Sequence, residues 1–342
     1  MLLKHPRAAG AALVTVAVGL VGCGVASPAA NTEVTSTTVT DTPSTTITDT
    51  PSTTAAATTS APTSTTTLEP TTTTASTPMS TLALPDDMPS KLYACGVDGV
   101  PIYEISRAGD DWEVTDQFDL PGRDGTPRTP EENVVGRIVV GADGLYVSTC
   151  CAPAAGITWR YAGGAAENLG LGVVTDAVRD VKVTTHGGLH VEVSSSSGVV
   201  DLAGPETPGV LDAALSPKGG VAVLTMDQND IRRVYWIPVP VAGALGDAEP
   251  LYESDTRLDS IAVDRDSKIW IGSAEEPELV IVDTAGGGVE TEALEHTIVD
   301  LASDASGAYL LITTGDGRLT ARRFDEPTYI EVPSPEVDRA DW

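Results

Sequence analysis

Four aspartates recur at one position of a repeated sequence pattern. Each opens a short apolar segment that leads into a turn and a second apolar segment: Asp180, Asp212, Asp259 and Asp300. Carboxylates gathered in this way supply oxygen ligands of the kind that Ca²⁺ prefers, so one interpretation is a metal or cationic-ligand site. The alternative is that each Asp accepts backbone N–H bonds where its strand begins. We favour this local role, and Arg137 takes the equivalent place in a further copy of the pattern.

The four cysteines divide into one near the start of the chain, Cys23, and three much further along, Cys95, Cys150 and Cys151. Three thiols in an exported protein allow one disulfide and one odd cysteine. We expect Cys95 to pair with Cys150 or Cys151. The alternatives are a ring between the two adjacent cysteines, free thiols, or a redox sensor built from all three.

Other motifs that carry chemistry are incomplete. His186 and His190 are separated by a Gly-Gly turn, and His296 is distant in sequence, which argues against a histidine metal site. The sequence has no Gly-x-Ser-x-Gly element and no paired Cys and His of the kind that hydrolases use. These gaps favour a binding or scaffold protein over an enzyme, with no required cofactor.

The elements that would position these residues form a repeat of about 40 residues. Each copy has a strand, a tight turn rich in Asp, Gly and Ser, and a more apolar second strand, which indicates an all-β domain. The second strands begin at Leu145, Leu189, Val221, Ile269 and Tyr309. In one copy, 278–283 and 289–293 supply a third and a fourth strand. Units of this size with four strands are typical of β-propeller blades.

A sixth unit is divided between the two ends of the domain. Three segments near the start of the domain match second, third and fourth strands: 92–95, 102–105 and 112–115. The missing first strand is offered by residues 336–342. The sequence therefore predicts a six-bladed β-propeller closed by its C-terminal strand, which leaves no open sheet edge at the junction. The domain resembles the six-bladed propellers of the periplasmic TolB-like and lactonase-like type, found among actinobacterial lipoproteins. That resemblance implies a divalent ion in the channel as the alternative function, a metal-dependent hydrolase.

The N-terminal segment has the features of an export signal. Lys4 and Arg7 precede an apolar stretch from Ala8 to Leu20, which is too short to span a bilayer. It leads into Leu20-Val21-Gly22-Cys23, which resembles the bacterial lipobox. Residues 1–22 are thus predicted to be a lipoprotein signal peptide, and Cys23 to carry the lipid, including palmitate, that holds the chain on the extracytoplasmic face of the cell membrane.

Residues 23–85 differ in composition from the rest of the chain. They contain no Lys, Arg or aromatic residue and are dominated by Thr, Ser, Pro and Ala, with an octapeptide repeated almost unchanged at 37–44 and 45–52. Such a segment buries too little apolar surface to offset its conformational entropy. We expect a disordered stalk, glycosylated or bare, that separates the membrane from the domain at 86–342.

The propeller domain is strongly acidic, which limits its partners. It contains 18 basic and 45 acidic residues, a net charge of −27 within a chain of −29. This charge repels phosphate backbones and anionic lipid headgroups, so nucleic acid is excluded and membrane contact is expected through the lipid alone. The sequence predicts a monomer that binds a protein, a peptide or a cell-wall ligand.

Overall fold

Strands follow one another along the chain with hardly any helix between them. The computed structural model describes residues 84–97, 101–119, 135–149, 156–188, 190–202, 209–238 and 245–342. The first ten strands are β1 Lys91–Gly96, β2 Ile102–Ala108, β3 Asp111–Phe118, β4 Val135–Gly141, β5 Gly144–Thr149, β6 Ile157–Ala162, β7 Ala165–Leu171, β8 Val173–Val178, β9 Val181–His186 and β10 His190–Ser195.

The remaining strands continue the same rhythm. They are β11 Gly198–Asp201, β12 Gly209–Leu215, β13 Val221–Met226, β14 Arg232–Ile237, β15 Tyr252–Ser254, β16 Leu258–Val263, β17 Lys268–Ser273, β18 Glu278–Asp283, β19 Val289–Ala293, β20 Ile298–Ser303, β21 Tyr309–Thr314, β22 Leu319–Arg323, β23 Ile330–Val332 and β24 Val337–Asp341. A short 3-10 turn lies at Leu245–Asp247. No helix in the described ranges has the length and apolar character needed to cross a membrane.

The strands form six four-stranded antiparallel sheets, the blades of a β-propeller. Blade 1 has the strand order β24-β1-β2-β3, and blades 2 to 6 take β4–β7, β8–β11, β12–β15, β16–β19 and β20–β23 in turn. The inner strands β4, β8, β12, β16, β20 and β24 contact one another in sequence around a closed ring. The predicted six-bladed all-β fold is confirmed.

Blade 1 closes the ring with strands from both ends of the domain. The C-terminal strand β24 pairs with β1, with Ala340 opposite Ala94 and Arg339 opposite Cys95. Val337, Ala340 and Trp342 are buried in a cluster that also contains Leu84 and Met88. The predicted closure by the C-terminal strand is confirmed, and the chain already packs against the domain at Leu84.

The core lies between the blades, because inner and middle strands are covered on both faces. β13 reads Val-Ala-Val-Leu-Thr-Met and is buried over nearly its whole length, whereas the outer strand β7 is mostly exposed. Each junction between neighbouring blades has its own apolar cluster. The cluster between blades 2 and 3 is the smallest, with Val139, Tyr146, Val174 and Ala177.

The sequence alignment is wrong by one strand in blade 3. We took residues 181–186 for the first strand of that blade, but Val173–Val178 is the inner strand and Val181–His186 is the second. Both β8–β9 and β9–β10 are short hairpins of Val-containing strands, so moving the alignment by one strand still places apolar residues in each strand. In blade 5, the third and fourth strands at 278–283 and 289–293 are confirmed.

Cys95 is buried among apolar side chains of blades 1 and 2 and has no disulfide partner among the described residues. Burial is the main cause that raises its pKa to about 12, so the thiol stays protonated and is a poor nucleophile. Cys150 and Cys151 lie outside the described residues, and pairing between Cys95 and either of them stays a prediction. Cys23 and the predicted signal and stalk also lie outside these residues.

Candidate functional site

One polar residue of each inner strand points to the propeller axis, and a β-bulge positions it. In every inner strand the pairing register shifts by one residue, and a polar side chain follows the bulge. The local pattern is apolar, any residue, polar, apolar, as in Val210-Leu-Asp-Ala and Ile298-Val-Asp-Leu. These six polar residues, the axial ring, are Arg137, Asp176, Asp212, Ser260, Asp300 and Arg339.

Arg137 crosses the channel from blade 2 and joins two other blades. Its guanidinium forms ion pairs with Asp212 of blade 4 and Asp300 of blade 6. The Ser260 hydroxyl, on the opposite blade 5, lies 3.1 Å from Asp212 Oδ2 and 3.2 Å from Asp300 Oδ1. Arg137 is buried with both carboxylates, so the ion pairs are shielded from solvent.

Side chains at the axis also hold neighbouring blades together. At each of the six junctions a side-chain oxygen accepts a backbone N–H bond from the next inner strand, at 2.6 to 3.4 Å. The pairs are Asp341 with Val140, Ser148 with Val174, Asp176 with Leu215, Asp212 with Ile261, Ser260 with Leu301, and Asp300 with Ala340. These bonds give the axial ring a structural role, but they join neighbouring blades, whereas the local interpretation placed the bonds of each Asp at the entry of its own strand.

Burial and charge act in opposite directions on the acids and bases at the axis. Desolvation opposes the charged form of Arg137, but Asp212 and Asp300 outweigh it and raise the pKa of the guanidinium above its usual value. Desolvation raises the pKa of Asp176 to about 6 despite two backbone hydrogen bonds that lower it. Burial also raises the pKa of Asp341 well above that of an exposed carboxyl.

The residues at the axis do not fit the divalent ion that a lactonase-like propeller would hold. Arg137 already places a positive charge between Asp212 and Asp300, which are the two carboxylates nearest each other across the channel. The cavity beside them measures about 10 Å³, close to the space of one water molecule. In the described ranges, no three His, Cys, Asp or Glu side chains are grouped as metal ligands.

Only two of the four aspartates singled out from the sequence lie at the axis. Asp212 and Asp300 do, whereas Asp180 is exposed in the β8–β9 turn and accepts a hydrogen bond from Ser196 Oγ at 2.5 Å. Asp259 is the bulged residue of β16 and forms an ion pair with Arg257 at 3.0 Å. The grouping of all four is corrected, because the blade 3 alignment was displaced and because Asp259 precedes the axial position by one residue.

Four residues at the axis were not predicted from the sequence, although a signal for three of them was present: Asp176, Ser260, Arg339 and Asp341. The first three follow the same apolar, any residue, polar pattern as Asp212 and Asp300. Searching for that pattern in all six inner strands identifies the axial ring. Asp341 lies at the end of β24, after the axial position of that strand, and the repeated pattern does not mark it.

A groove runs along the face that carries the turns between inner and second strands. Three cavities of about 780, 370 and 520 Å³ adjoin there, from blade 1 to blade 4. The first two share Ala142 and Asp143, and the second and third share Arg179, Asp180 and Ser195. We call this surface the turn groove.

The turn groove changes in chemistry along its length. Its blade 1 end is lined by Tyr93, Phe118 and Tyr161, with the ring centroids of Phe118 and Tyr161 5.4 Å apart. Its blade 4 end is lined by valines, Pro217 and Lys218. The middle contains Arg179, Lys182, Asp143, Asp180 and three serines. The three cavities adjoin across four blades, and a groove of this length suits an extended ligand better than a compact one.

Comparison with known proteins identifies the architecture. The sequence matches no protein-family model and no curated protein. Its structure is similar to a chain of a nidogen/laminin complex, with 11% identity and a TM-score of 0.53, over 73% of this chain and 97% of that one. A streptogramin B lyase is similar with 13% identity and a TM-score of 0.43, over 60% and 72%. YCF48 bound to D1 peptide is similar with 13% sequence identity and a TM-score of 0.43, over 70% of this chain and 76% of that one. At these identities the likeness extends to the fold.

Proposed function

We propose that this protein is a binding module, attached to the extracytoplasmic face of the cell membrane through lipid on Cys23. A disordered stalk over 23–85 carries the propeller, and the turn groove binds a protein, a peptide or a cell-wall polymer. The signal peptide, lipid and stalk are inferred from the sequence, as described above.

One contrast supports binding rather than catalysis. Arg137 and its carboxylates fill the axis, where a propeller enzyme of the lactonase-like type would hold its ion. The large cavities lie instead on the turn face, side by side across four blades. A long open groove therefore carries the proposal.

The groove can be blocked without touching the core. Ala142 is exposed in the β4–β5 turn and lines two of the three cavities, so Ala142→Trp places an indole in the groove. Ala285, exposed in a blade 5 turn, provides the control Ala285→Trp. The purified full-length protein is tested for cosedimentation with cell walls from the producing organism and for binding to an array of random peptides.

We expect wild type and Ala285→Trp to bind one of these two probes, and Ala142→Trp to lose at least tenfold in affinity. Equal binding by all three proteins would place the binding surface elsewhere. Binding to neither probe by the wild type would contradict the proposal.

A further inference from the structure

Nearly every basic residue in the described part of the chain forms an ion pair with a carboxylate. Thirteen of the sixteen do so, from Lys91 with Glu104 to Arg339 with Asp300. The three that do not are Arg179, Lys182 and Lys268. In an acidic protein with many carboxylates available, a cation that lacks one is unusual. Arg179 and Lys182 line the same cavity, the 370 Å³ middle part of the turn groove.

Both cations keep hydrogen-bond donors free for a ligand. Lys182 Nζ lies 3.2 Å from the Tyr146 hydroxyl and 5.0 Å from the centre of the Tyr146 ring, which fixes its position. An ammonium has three N–H donors, so two remain after that bond. Arg179 has an exposed side chain, and none of its guanidinium donors has a partner in the described ranges. Ser194 lies directly opposite Lys182 across the β9–β10 pair.

The two nearest carboxylates are already engaged. Asp143 accepts a hydrogen bond from Tyr146 and pairs with Arg160 at 2.9 Å. Asp180 accepts the Ser196 hydroxyl, which is the main cause that lowers its pKa. The cavity is lined by two cations, Arg179 and Lys182, and two acids, Asp143 and Asp180, so its formal charge is zero in a chain of −29. This surface is thus neutral, whereas the protein as a whole is strongly negative.

The backbone at Arg179 adds an independent observation. Arg179 has a φ of 59°, in the left-handed region that arginine rarely adopts. Glycine has no steric cost there, and turn positions in blades 4 and 6 have glycines with positive φ, Gly219 and Gly307. A non-glycine residue held in this region is a candidate for a functional role, and Arg179 is the one that lines the turn groove.

We propose that the middle of the turn groove binds an oxyanion, a carboxylate or phosphate group carried by the groove's ligand. The anion sits between Arg179 and Lys182, with Ser194 and Ser195 as further hydrogen-bond donors. The proposal rests on the turn groove being the binding surface and adds the charge of the ligand. Arginine and lysine together suit both carboxylates and phosphates, so the experiment has one probe of each kind.

Inorganic phosphate and N-acetylglutamate are titrated into the full-length protein at low ionic strength, with isothermal titration calorimetry as readout. We expect millimolar affinity for at least one probe, and the stronger probe identifies the source of the anion. Arg179→Gln with Lys182→Gln should weaken binding at least tenfold, and physiological salt should weaken it in the wild type. Arg265→Gln is the matched control, since Arg265 is an exposed arginine paired with Asp325.

A second variant separates binding from folding. Arg179→Gly removes the cation and relieves the positive φ, so we expect weaker anion binding with a melting temperature at or above that of the wild type. The proposal is overturned if neither probe binds, or if the double variant binds as tightly as Arg265→Gln. If the double variant also keeps its affinity for cell walls or peptides, the turn groove binds its ligand without an anion, and the proposed function survives.

Discussion

Arg137 is the residue on which the interior of the propeller depends most. A single guanidinium from blade 2 forms ion pairs with one carboxylate of blade 4 and one of blade 6, and all three groups are buried. Bringing two buried carboxylates together without a cation would be costly, because each has lost its hydration. The channel is therefore closed by charge compensation rather than by apolar packing.

Replacement of Arg137 by Met should be strongly destabilising. Asp212 and Asp300 would remain buried without their partner, and breaking a buried pair in this way costs about 3–5 kcal/mol. Arg318→Met is the control, since Arg318 is largely exposed and pairs with Asp316, and it should change stability by less than about 1 kcal/mol. Urea denaturation followed by circular dichroism measures both. A loss below about 1 kcal/mol for Arg137→Met would contradict the role given to this residue.

The buried acids predict a pH dependence with a definite sign. The pKa of Asp176 is raised to about 6, so between about 4 and 6 the folded state binds a proton that the unfolded state has lost. Stability from this group is present at low pH and is lost as pH rises through that range, by about 3 kcal/mol. Asp176→Asn should flatten the fall in the urea midpoint between pH 4.5 and 7. An identical slope in the two proteins would show that Asp176 ionises normally.

At the scale of elements, the repeated β-bulge matters more than any single strand. It turns one polar side chain of each inner strand to the axis while the flanking residues stay in the apolar junctions, as Val210 and Ala213 do around Asp212. A strand without the bulge would alternate evenly and send that side chain to one blade junction. The sixfold bulge is thus what allows a polar axis inside an apolar ring.

Deleting residues 335–342 should open blade 1. The deletion removes β24 with buried Val337, Ala340 and Trp342 and exposes a free edge on β1. We expect aggregation, or a fall in melting temperature of more than about 10 °C, measured by differential scanning calorimetry and size-exclusion chromatography. A truncated protein that stays monomeric and melts within two degrees of the wild type would contradict closure by β24.

The sequence predicts the succession of strands in the blades but not the contacts between residues at the propeller axis. In blade 5 the four strands could be predicted because Asp, Gly and Ser turns separate runs of β-branched residues. In blade 3 the same reasoning was displaced by one strand, since β8, β9 and β10 are all Val-containing strands. The bond between Arg137 and Asp300 spans 163 residues of chain, and no local pattern encodes such a contact. The turn groove depends likewise on the relative placement of four blades.

At the scale of the whole molecule, the net charge fits the proposed attachment. A chain of −29 is repelled by anionic lipid headgroups, so under the proposed lipid anchoring the propeller should stay off the membrane surface. The middle of the turn groove, where Arg179 and Lys182 balance Asp143 and Asp180, is a neutral patch within that negative surface.

The lipid anchor can be tested directly. Replacing Cys23 by Ala removes the thiol that would be acylated, so radiolabelled palmitate should no longer enter the protein, and the chain should accumulate as precursor or appear in the medium. Cys95→Ala is the matched control, because that thiol is buried and should leave labelling unchanged. Equal labelling of both variants would contradict the assignment of Cys23.

The closure of blade 1 also determines how the domain responds to mechanical force. Strand β1 lies between β24 and β2, so tension entering the domain at Leu84 acts along β1 and must shear two hydrogen-bonded ladders at once. Shear loads many backbone hydrogen bonds together, whereas peeling breaks them one by one. Leu84 and Met88 would leave the core first, and the ladders would then bear the force. Under a force applied through a ligand in the turn groove, the propeller should thus stay folded until these two ladders break.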